Sequence, residues 1–284
     1  MPHNIEVLSY AKCIIGEGPL WDSRRRELNM VDIQGRRVRK IQWGTLHTTD
    51  IVYNQEIGFL ILGESGKLYA GCEDGIYLIN ENSDMTKVSK IKEGSMLKGA
   101  RFNDGKVGIN GKLYCGTFSR DNSAAFYRME EDGTLTELFD KVGNSNGLDF
   151  DTELNIMYYN DTPLKRTDAF TISGDEIIKR RTVIEYPSGH PDGMTIDTDG
   201  NLWTALWGTG KVVKVNPKTG KIIDEIVLPV SQPSCCAFCG DDLKTLVITS
   251  AAHGVQLRDE PLAGSTFAVE LTVGGKDNFK LKNF

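Results

Sequence analysis

Four side chains that carry carboxylate or amide oxygens recur at nearly the same distance ahead of apolar, strand-like segments. They are Glu17, Asn103, Asn146 and Asp192. The segments that follow them begin 11, 10, 10 and 10 residues later, at Leu28, Leu113, Ile156 and Leu202. Oxygen donors of this kind are the ligands that hard divalent cations prefer in proteins. If the fold brings equivalent positions together, this pattern predicts one shared cation site.

Three of these positions share more of their local sequence. Glu17, Asn146 and Asp192 are each followed directly by glycine, and five residues later by an aspartate. The glycine permits a close approach of the backbone, and the aspartate is expected to form the turn into the next strand. The alternative is that all these residues only shape turns. A turn does not require the change from Glu to Asn to Asp, whereas a coordination sphere has a use for it.

Two carboxylates and one amide leave coordination positions for water or substrate, which is typical of a catalytic rather than a structural ion. Arg101 and Asn103 are two residues apart in a predicted strand, so their side chains leave the same face. An inward guanidinium would bind an anionic or polyhydroxylated ligand. The alternative is a salt bridge to a carboxylate of a neighbouring repeat. His190, two residues before Asp192, is a further candidate for the pocket.

The elements that must position these residues form a sixfold repeat. Strand-like segments begin at intervals of 40, 45, 43, 46 and 44 residues, at Leu28, Leu68, Leu113, Ile156, Leu202 and Leu246. Short β-rich segments between Gly, Asp and Asn turns at this period predict an all-β, six-bladed propeller with four-stranded antiparallel blades around a central channel. A solenoid is disfavoured because amphipathic helical periodicity and polar end repeats are missing. One domain is expected over residues 1–284, closed by the N-terminal strand IEVLSY.

Composition narrows the choice of partners. The net charge of −6 argues against a nucleic-acid partner, which normally requires a basic stripe. The sequence contains no apolar run of about 18 residues, so no membrane partner is expected. The first residues lack the apolar core of a signal peptide, and a cytoplasmic location is expected. Cys236 and Cys239 form a C-x-x-C without the context of a redox or zinc site, and are predicted to be small buried strand residues.

The motifs GEGPLWD, RFNDGKV, SNGLDF and PDGMTID occur in this order along nearly the whole chain. In this respect the sequence resembles the gluconolactonase and regucalcin family of six-bladed propeller lactonases. The resemblance implies metal-dependent hydrolysis of sugar lactones, with one divalent cation near the top of the axial channel. Ca²⁺ is the first candidate for that cation, and Zn²⁺, Mg²⁺ and Mn²⁺ are alternatives.

The same resemblance implies roles for individual residues. Glu17, Asn146 and Asp192 would hold the metal, while Arg101 and Asn103 would contact the substrate hydroxyls. Asp192 would also activate the attacking water. A further acidic substrate contact of the family falls on Asp121 in the segment GTFSRD, where the short side chain and the neighbouring Arg120 place the substrate preference in question.

A mechanism follows from these parts. The cation would polarise the lactone carbonyl, and Asp192 would take a proton from water. The sequence contains neither a G-x-S-x-G nor an H-E-x-x-H motif, in keeping with a reaction that needs no covalent nucleophile. Two alternatives stay open: a calcium-binding regulatory protein without significant catalysis, and a hydrolase of other lactones or organophosphate esters. An inward arginine disfavours the first, and the polarity of the pocket wall decides the second.

Overall fold

The computed structural model describes residues 3–93 and 95–282, which form six antiparallel sheets arranged as the blades of a propeller. Every blade has four antiparallel strands, and the third carries one additional short strand at its outer edge. The predicted six-bladed, all-β architecture is confirmed. The prediction of a single domain over residues 1–284 includes five residues outside the described part and stays a prediction. Within the described ranges, no helix has the length and hydrophobicity that crossing a bilayer requires.

The strands are numbered in chain order, and each blade runs from an inner strand to an outer one. The chain begins with β1 (Glu6–Ser9). Blade 1 contains β2 (Gly16–Asp22), β3 (Glu27–Asp32), β4 (Arg37–Gln42) and β5 (Thr48–Val52). Blade 2 contains β6 (Ile57–Leu62), β7 (Leu68–Cys72), β8 (Ile76–Ile79) and β9 (Met85–Lys87). Blade 3 contains β10 (Lys90–Ile91), β11 (Arg101–Val107), β12 (Leu113–Phe118), β13 (Ala124–Met129) and β14 (Thr134–Val142).

The second half of the ring repeats the arrangement. Blade 4 contains β15 (Ser145–Asp151), β16 (Ile156–Asp161), β17 (Arg166–Ser173) and β18 (Glu176–Glu185), with a 3₁₀ turn at Thr162–Leu164. Blade 5 contains β19 (His190–Ile196), β20 (Leu202–Trp207), β21 (Lys211–Asn216) and β22 (Lys221–Val227). Blade 6 contains β23 (Pro233–Cys239), β24 (Thr245–Ser250) and β25 (Thr266–Glu270), and β1 is its outer strand.

The ring closes through β1. This strand pairs with β25 in antiparallel register, with Val7 opposite Phe267 and Ser9 opposite Thr266. The first and last parts of the chain therefore share one blade, as IEVLSY predicts. Closure of this kind protects the sheet edges that an open array would expose. The inner strands β2, β6, β11, β15, β19 and β23 contact one another in sequence around the axis.

All six inner strands contain a register irregularity near their beginning. Glycine at this level lets neighbouring inner strands approach each other closely. A Cβ atom on Gly58 would lie 2.3 Å from the backbone oxygen of Phe102, and one on Gly147 would lie 2.4 Å from that of Asp192. Because bulges of this kind redirect side chains, residues at this level point towards the axis instead of continuing the alternation of a regular strand.

The turn aspartates behave as the sequence predicts. The Oδ1 atom of Asp22 accepts hydrogen bonds from the backbone N–H groups of Arg24 (3.0 Å) and Arg25 (3.2 Å). Asp151 and Asp197 accept equivalent bonds in the turns that follow β15 and β19. These aspartates form the turns at the C-terminal ends of the inner strands. The candidate site residues lie near the N-terminal ends of the same strands.

The core lies between the blades and consists of aliphatic and aromatic side chains. Blades 3 and 4, for example, are joined by stacked and edge-on rings of Phe126, Phe139, Tyr159 and Phe170. Cys236 and Cys239 are buried free thiols that belong to two different core clusters. The prediction that they are small buried strand residues is confirmed.

Candidate functional site

Five of the predicted site residues line a single cavity of about 450 Å³. They are Glu17, Arg101, Asn103, Asn146 and Asp192. They come from blades 1, 3, 4 and 5, so only the ring brings them together. The volume of the cavity lies within the roughly 300–1,000 Å³ that is common for small-molecule sites.

The local structure explains why these side chains reach the cavity. Glu17, Asn103, Asn146 and Asp192 each lie at or within the irregularity of their inner strand. The side-chain amide of Asn160, on β16 of blade 4, donates a 2.8 Å hydrogen bond to the backbone oxygen of Asp192 in blade 5 and fixes the bulge there. The nearly equal spacing in the sequence therefore reflects the position of each residue at the register irregularity of its inner strand.

Glu17 and Asp192 form the negative part of the cavity. Each residue is only 8% exposed. Burial raises the pKa of Glu17 well above its ordinary value, the charges of Asp192 and Asp104 raise it further, and the N–H of Gly18, 2.8 Å from Oε2, opposes them. Burial also raises the pKa of Asp192, and a hydrogen bond from Asn146 opposes this shift. Buried carboxylates of this kind are stabilised by a cation or by protons.

The third predicted ligand is held by its neighbours. The Nδ2 atom of Asn146 donates to Oγ1 of Thr162 (3.0 Å), and this hydroxyl donates to the backbone oxygen of Pro191 (2.9 Å). The Oδ1 atom of Asn146 accepts from the N–H of Gly147 at 3.1 Å, and a carbonyl oxygen retains a second lone pair. In the described part of the chain, no three His, Cys, Asp or Glu side chains are arranged to hold a metal. A cation here would therefore take its third protein ligand from this amide.

This donor set fits a hard divalent ion. It consists of two buried carboxylates and an amide oxygen in a cavity large enough for water and substrate to complete the coordination. The formal ligand charge of −2 matches one dication. No sulfur or imidazole is required from the chain, which favours Ca²⁺, Mg²⁺ or Mn²⁺ over thiophilic metals.

The two arrangements of Arg101 that the sequence left open, an inward side chain and a salt bridge to a neighbouring blade, occur together. Arg101 lines the cavity, and its Nε lies 3.0 Å from Oε2 of Glu56, which precedes the inner strand of blade 2. Its Nη1 donates to Oδ1 of Asn103 at 2.6 Å, so the two side chains share a face as predicted. The guanidinium carbon lies 5.3 Å from the ring centre of Phe118. Arg101 is thus a fixed, paired charge.

Asp121 lies apart from the other predicted residues. It is exposed, and it is not among the residues that line the cavity. Its Oδ1 accepts hydrogen bonds from Oγ (2.6 Å) and N–H (3.3 Å) of Ser123, within the β12–β13 loop. Arg120, one residue earlier, does line the cavity.

The walls include residues that the sequence analysis missed or could not place. Glu56, Asn144, Thr162 and His253 line the cavity, together with His190. For Glu56 a signal was present, since Gly58 lies ten residues before Leu68, in register with the other motifs. The aromatic walls are Phe118 and Trp207, whereas Leu206 is buried in the core.

A second group of charges lies farther along the inner strands. Asp104 and Lys106 on β11 line the channel next to the cavity, and Nζ of Lys106 lies 2.5 Å from Oδ2 of Asp149 on β15. Burial raises the pKa of Asp104 to about 7, although the N–H of Gly105 and the charge of Lys106 oppose the shift. The sequence analysis did not single out these three residues.

Comparison with known proteins identifies the family to which the chain is similar. The family described as SMP-30/Gluconolactonase/LRE-like region matches residues 15–252 of the chain. The chain is 36% identical over 278 residues to a Bacillus subtilis (strain 168) protein named "Putative sugar lactone lactonase YvrE", covering 93% of this chain and 94% of that protein. It is 34% identical over 286 residues to regucalcin of Danio rerio, covering 93% of each.

The fold is also similar to a solved structure. A calcium-binding protein, regucalcin from Agrobacterium tumefaciens strain C58, superimposes with a TM-score of 0.92 over 100% of this chain and 99% of that chain. The sequence identity is 24%. This likeness supports the fold alone.

Proposed function

The chain belongs to the SMP-30/Gluconolactonase/LRE-like family, and we propose that it hydrolyses sugar lactones with the help of one divalent cation. The observation that carries the proposal is the meeting of Glu17, Asn146 and Asp192 with Arg101 and Asn103 in one cavity. The relative named for lactone hydrolysis covers 93% of the chain, which supports the same reaction class.

Glu17, Asn146 and Asp192 would hold the cation. When bound, it supplies a Lewis acid that polarises the lactone carbonyl and stabilises the negative charge that develops on its oxygen. The ion pair with Glu56 and the contact with Phe118 fix the Arg101 guanidinium before a ligand arrives. This fixed group would donate hydrogen bonds to the ring hydroxyls and orient the substrate, because a preorganised donor costs less entropy than a mobile one.

Asp192 would move the proton. A carboxylate oxygen of Asp192 takes a proton from water, and the water oxygen forms a bond to the carbonyl carbon of the lactone. The bond between that carbon and the ring oxygen then breaks, and the proton passes to the departing oxygen, which becomes a hydroxyl. The product is an open-chain hydroxy acid. Asn160 and Asn146 hold the backbone and the carboxylate of Asp192 in place for this transfer.

The test is a hydrolysis panel of aldonolactones with protein that is stripped of metal and then resupplied with Ca²⁺, Mg²⁺, Mn²⁺ or Zn²⁺. Hydrolysis is expected only after an ion is restored. Glu17→Gln should weaken ion binding, measured by calorimetry, and the exposed Glu81→Gln serves as a charge-matched control. Hydrolysis at the full rate without any ion would contradict the metal-dependent mechanism.

A cation-binding role without hydrolysis is the second candidate. The ion pair between Arg101 and Glu56 is compatible with this role, because an arginine paired with a carboxylate repels a nearby cation much less than an unpaired arginine does. The panel separates the two functions. Ion binding in the calorimeter with no turnover of any lactone would select this second candidate.

A further inference from the structure

We propose that the substrate lactone carries an anionic group, a carboxylate or a phosphate, which Arg120 binds at the mouth of the cavity. This inference rests on the proposed function and narrows its substrate class. It assigns a specificity role to a residue that neither the sequence motifs nor the family resemblance places in the site.

The first argument is the balance of charge in the cavity. Five carboxylate or guanidinium side chains line it: Glu17, Glu56, Arg101, Arg120 and Asp192. Glu56 neutralises Arg101 at 3.0 Å, and one dication neutralises Glu17 and Asp192. Arg120 is left over. Among residues 3–93 and 95–282, no carboxylate lies within ion-pair distance of its guanidinium. With the cation bound, the cavity therefore has one positive charge for which the chain supplies no partner.

The second argument is the structure of the loop that carries Arg120. The N–H of Ser119 donates to the backbone oxygen of Gly143 at 2.8 Å, which attaches the loop to the connection between blades 3 and 4. The N–H of Ser123 donates to Oγ of Ser119 at 2.7 Å, and Asp121 accepts from Ser123. The carboxylate nearest to Arg120 in sequence is thus used to close the loop.

The position of Arg120 relative to Arg101 indicates which part of the ligand it would meet. Phe118 pairs with Arg101 across β11 and β12, and Arg120 follows two residues later. Arg101 is largely buried, with a side-chain exposure of 14%, whereas Arg120 is exposed. The two arginines therefore lie at different depths on the same blade. Arg101 belongs to the inner part of the cavity with the carboxylates, and Arg120 would meet a substituent that extends towards solvent.

The chemistry of the guanidinium selects the class of substituent. Its planar set of donors forms paired hydrogen bonds with carboxylate or phosphate oxygens. Such a group at the far end of an aldonolactone, away from the ring carbonyl, would make the substrate a lactone of a sugar diacid or a phosphorylated aldonolactone. Both would be drawn to the excess positive charge of the loaded cavity.

The experiment compares three lactones that share one ring: a neutral aldonolactone, its terminal-carboxylate analogue and its terminal phosphate ester. With metal-loaded protein, kcat/KM for at least one anionic lactone should exceed that of the neutral one about tenfold, the effect of one charge-assisted contact. The advantage should shrink between about 0.05 and 0.5 M salt, because screening weakens an exposed charge contact. The stronger of the two anionic substrates identifies the group.

Arg120→Gln should remove most of this advantage, chiefly through KM for the anionic lactone, and Arg120→Lys should restore part of it. Arg258→Gln is the matched control, since it removes an exposed arginine outside the cavity. Equal kcat/KM for neutral and anionic lactones in the unaltered protein would overturn the proposal, as would an equal loss on all three lactones in Arg120→Gln.

A binding measurement tests this inference independently of the proposed lactone hydrolysis. Calorimetric titration with a neutral hexose, the corresponding hexuronic acid and the hexose 6-phosphate requires no turnover. Tighter binding of an anionic sugar that depends on Arg120 would support the proposal even if no lactone were hydrolysed. Equal binding of all three sugars would overturn it, even if the neutral lactone proved a good substrate.

Discussion

Two groups of buried carboxylates face the axis of this propeller, and they differ in their charge partners. Farther along the channel, Asp149 has its own cation, the ammonium of Lys106 at 2.5 Å. It also accepts hydrogen bonds from the N–H of Ile196 and from Oγ1 of Thr195. In the cavity, Glu17 and Asp192 share a site that no lysine or arginine enters as a direct partner among the described residues. Arg101, the one guanidinium that lowers the pKa of Asp192, is paired with Glu56.

The difference separates a structural group from a functional one. A carboxylate that is balanced within the fold contributes to stability and leaves nothing for a ligand to supply. A buried pair of carboxylates without a counter-charge is held in place by the rest of the fold, and binding of a cation stabilises it. Because both groups lie on the same set of inner strands, burial alone does not distinguish them. Their charge partners do.

The largest expected effect comes from exchanging one carboxylate in each group. Asp192→Asn should lower kcat about 10²–10⁴-fold, the usual contribution of a general base, while leaving the fold intact. Asp149→Asn should leave activity within about threefold of the original, because it removes charge from a group that the reaction does not use. The measurements are steady-state lactone hydrolysis and thermal unfolding of the two variants.

Asp199→Asn, in an exposed turn of blade 5, provides the control for the same chemical change. If Asp149→Asn abolished turnover while Asp192→Asn retained it, the assignment of functional and structural groups would be reversed.

The second prediction concerns the cation itself. Addition of a divalent ion at about 100 times its dissociation constant should stabilise the stripped protein by about 2.7 kcal/mol, because the ion binds only the folded state. A chain of this size should then unfold roughly 5 °C higher. Glu17→Gln should remove most of this rise, whereas Asp149→Asn should keep it. Calorimetric scans with and without the ion measure the shift, and an equal rise in both variants would place the ion outside the cavity.

The sequence predicted the cavity better than the channel, and the reason is the bulge in β11. Regular alternation places Arg101 and Asn103 on one face and Asp104 and Lys106 on the other. The register shift between Phe102 and Asp104 changes the alternation, and all four side chains reach the axis. Spacing between repeats locates a level along the axis. It does not reveal an extra residue inserted at that level.

The sequence also does not indicate which residues of different blades form ion pairs with each other. Glu56 belongs to one of the two blades that lack the motif. The register of Gly58 indicates its level in the ring, but nothing in the segment marks Glu56 as the partner of Arg101. The β12–β13 loop is a related case. The strand ends at Phe118, and the left-handed conformation of Asn122 (φ 59°) turns the chain, so alternation no longer indicates which of Arg120 and Asp121 faces the cavity.

The third prediction tests whether Lys106 serves as the cation of the channel. Lys106→Met should destabilise the protein by about 1–3 kcal/mol, because it leaves the buried Asp149 charge with hydrogen bonds but no counter-charge. The double variant Lys106→Met/Asp149→Asn should recover part of that loss. Urea unfolding of the single and double variants gives the coupling energy. A coupling near zero would show that the 2.5 Å pair contributes nothing to stability.

The last prediction concerns Asp104 of the second group, whose charge also acts on Glu17 and Asp192. In the folded protein its pKa is raised to about 7, above the ordinary value of 3.8. Folded protein therefore holds this proton at pH values where the unfolded chain has released it. Stability is lost as pH rises from about 4 towards 7, and is flat above that range. In metal-free protein, Asp104→Asn should remove this loss, so its stability relative to the original should increase by at most about 1.4 kcal/mol per pH unit between pH 5 and pH 7, and no further above that range. Urea unfolding at four pH values measures the difference, with Asp199→Asn as a control that should show none. A stability difference that stayed constant with pH would mean that Asp104 keeps an ordinary pKa. The positive charge of Lys106 would then stabilise the Asp104 carboxylate as well as that of Asp149.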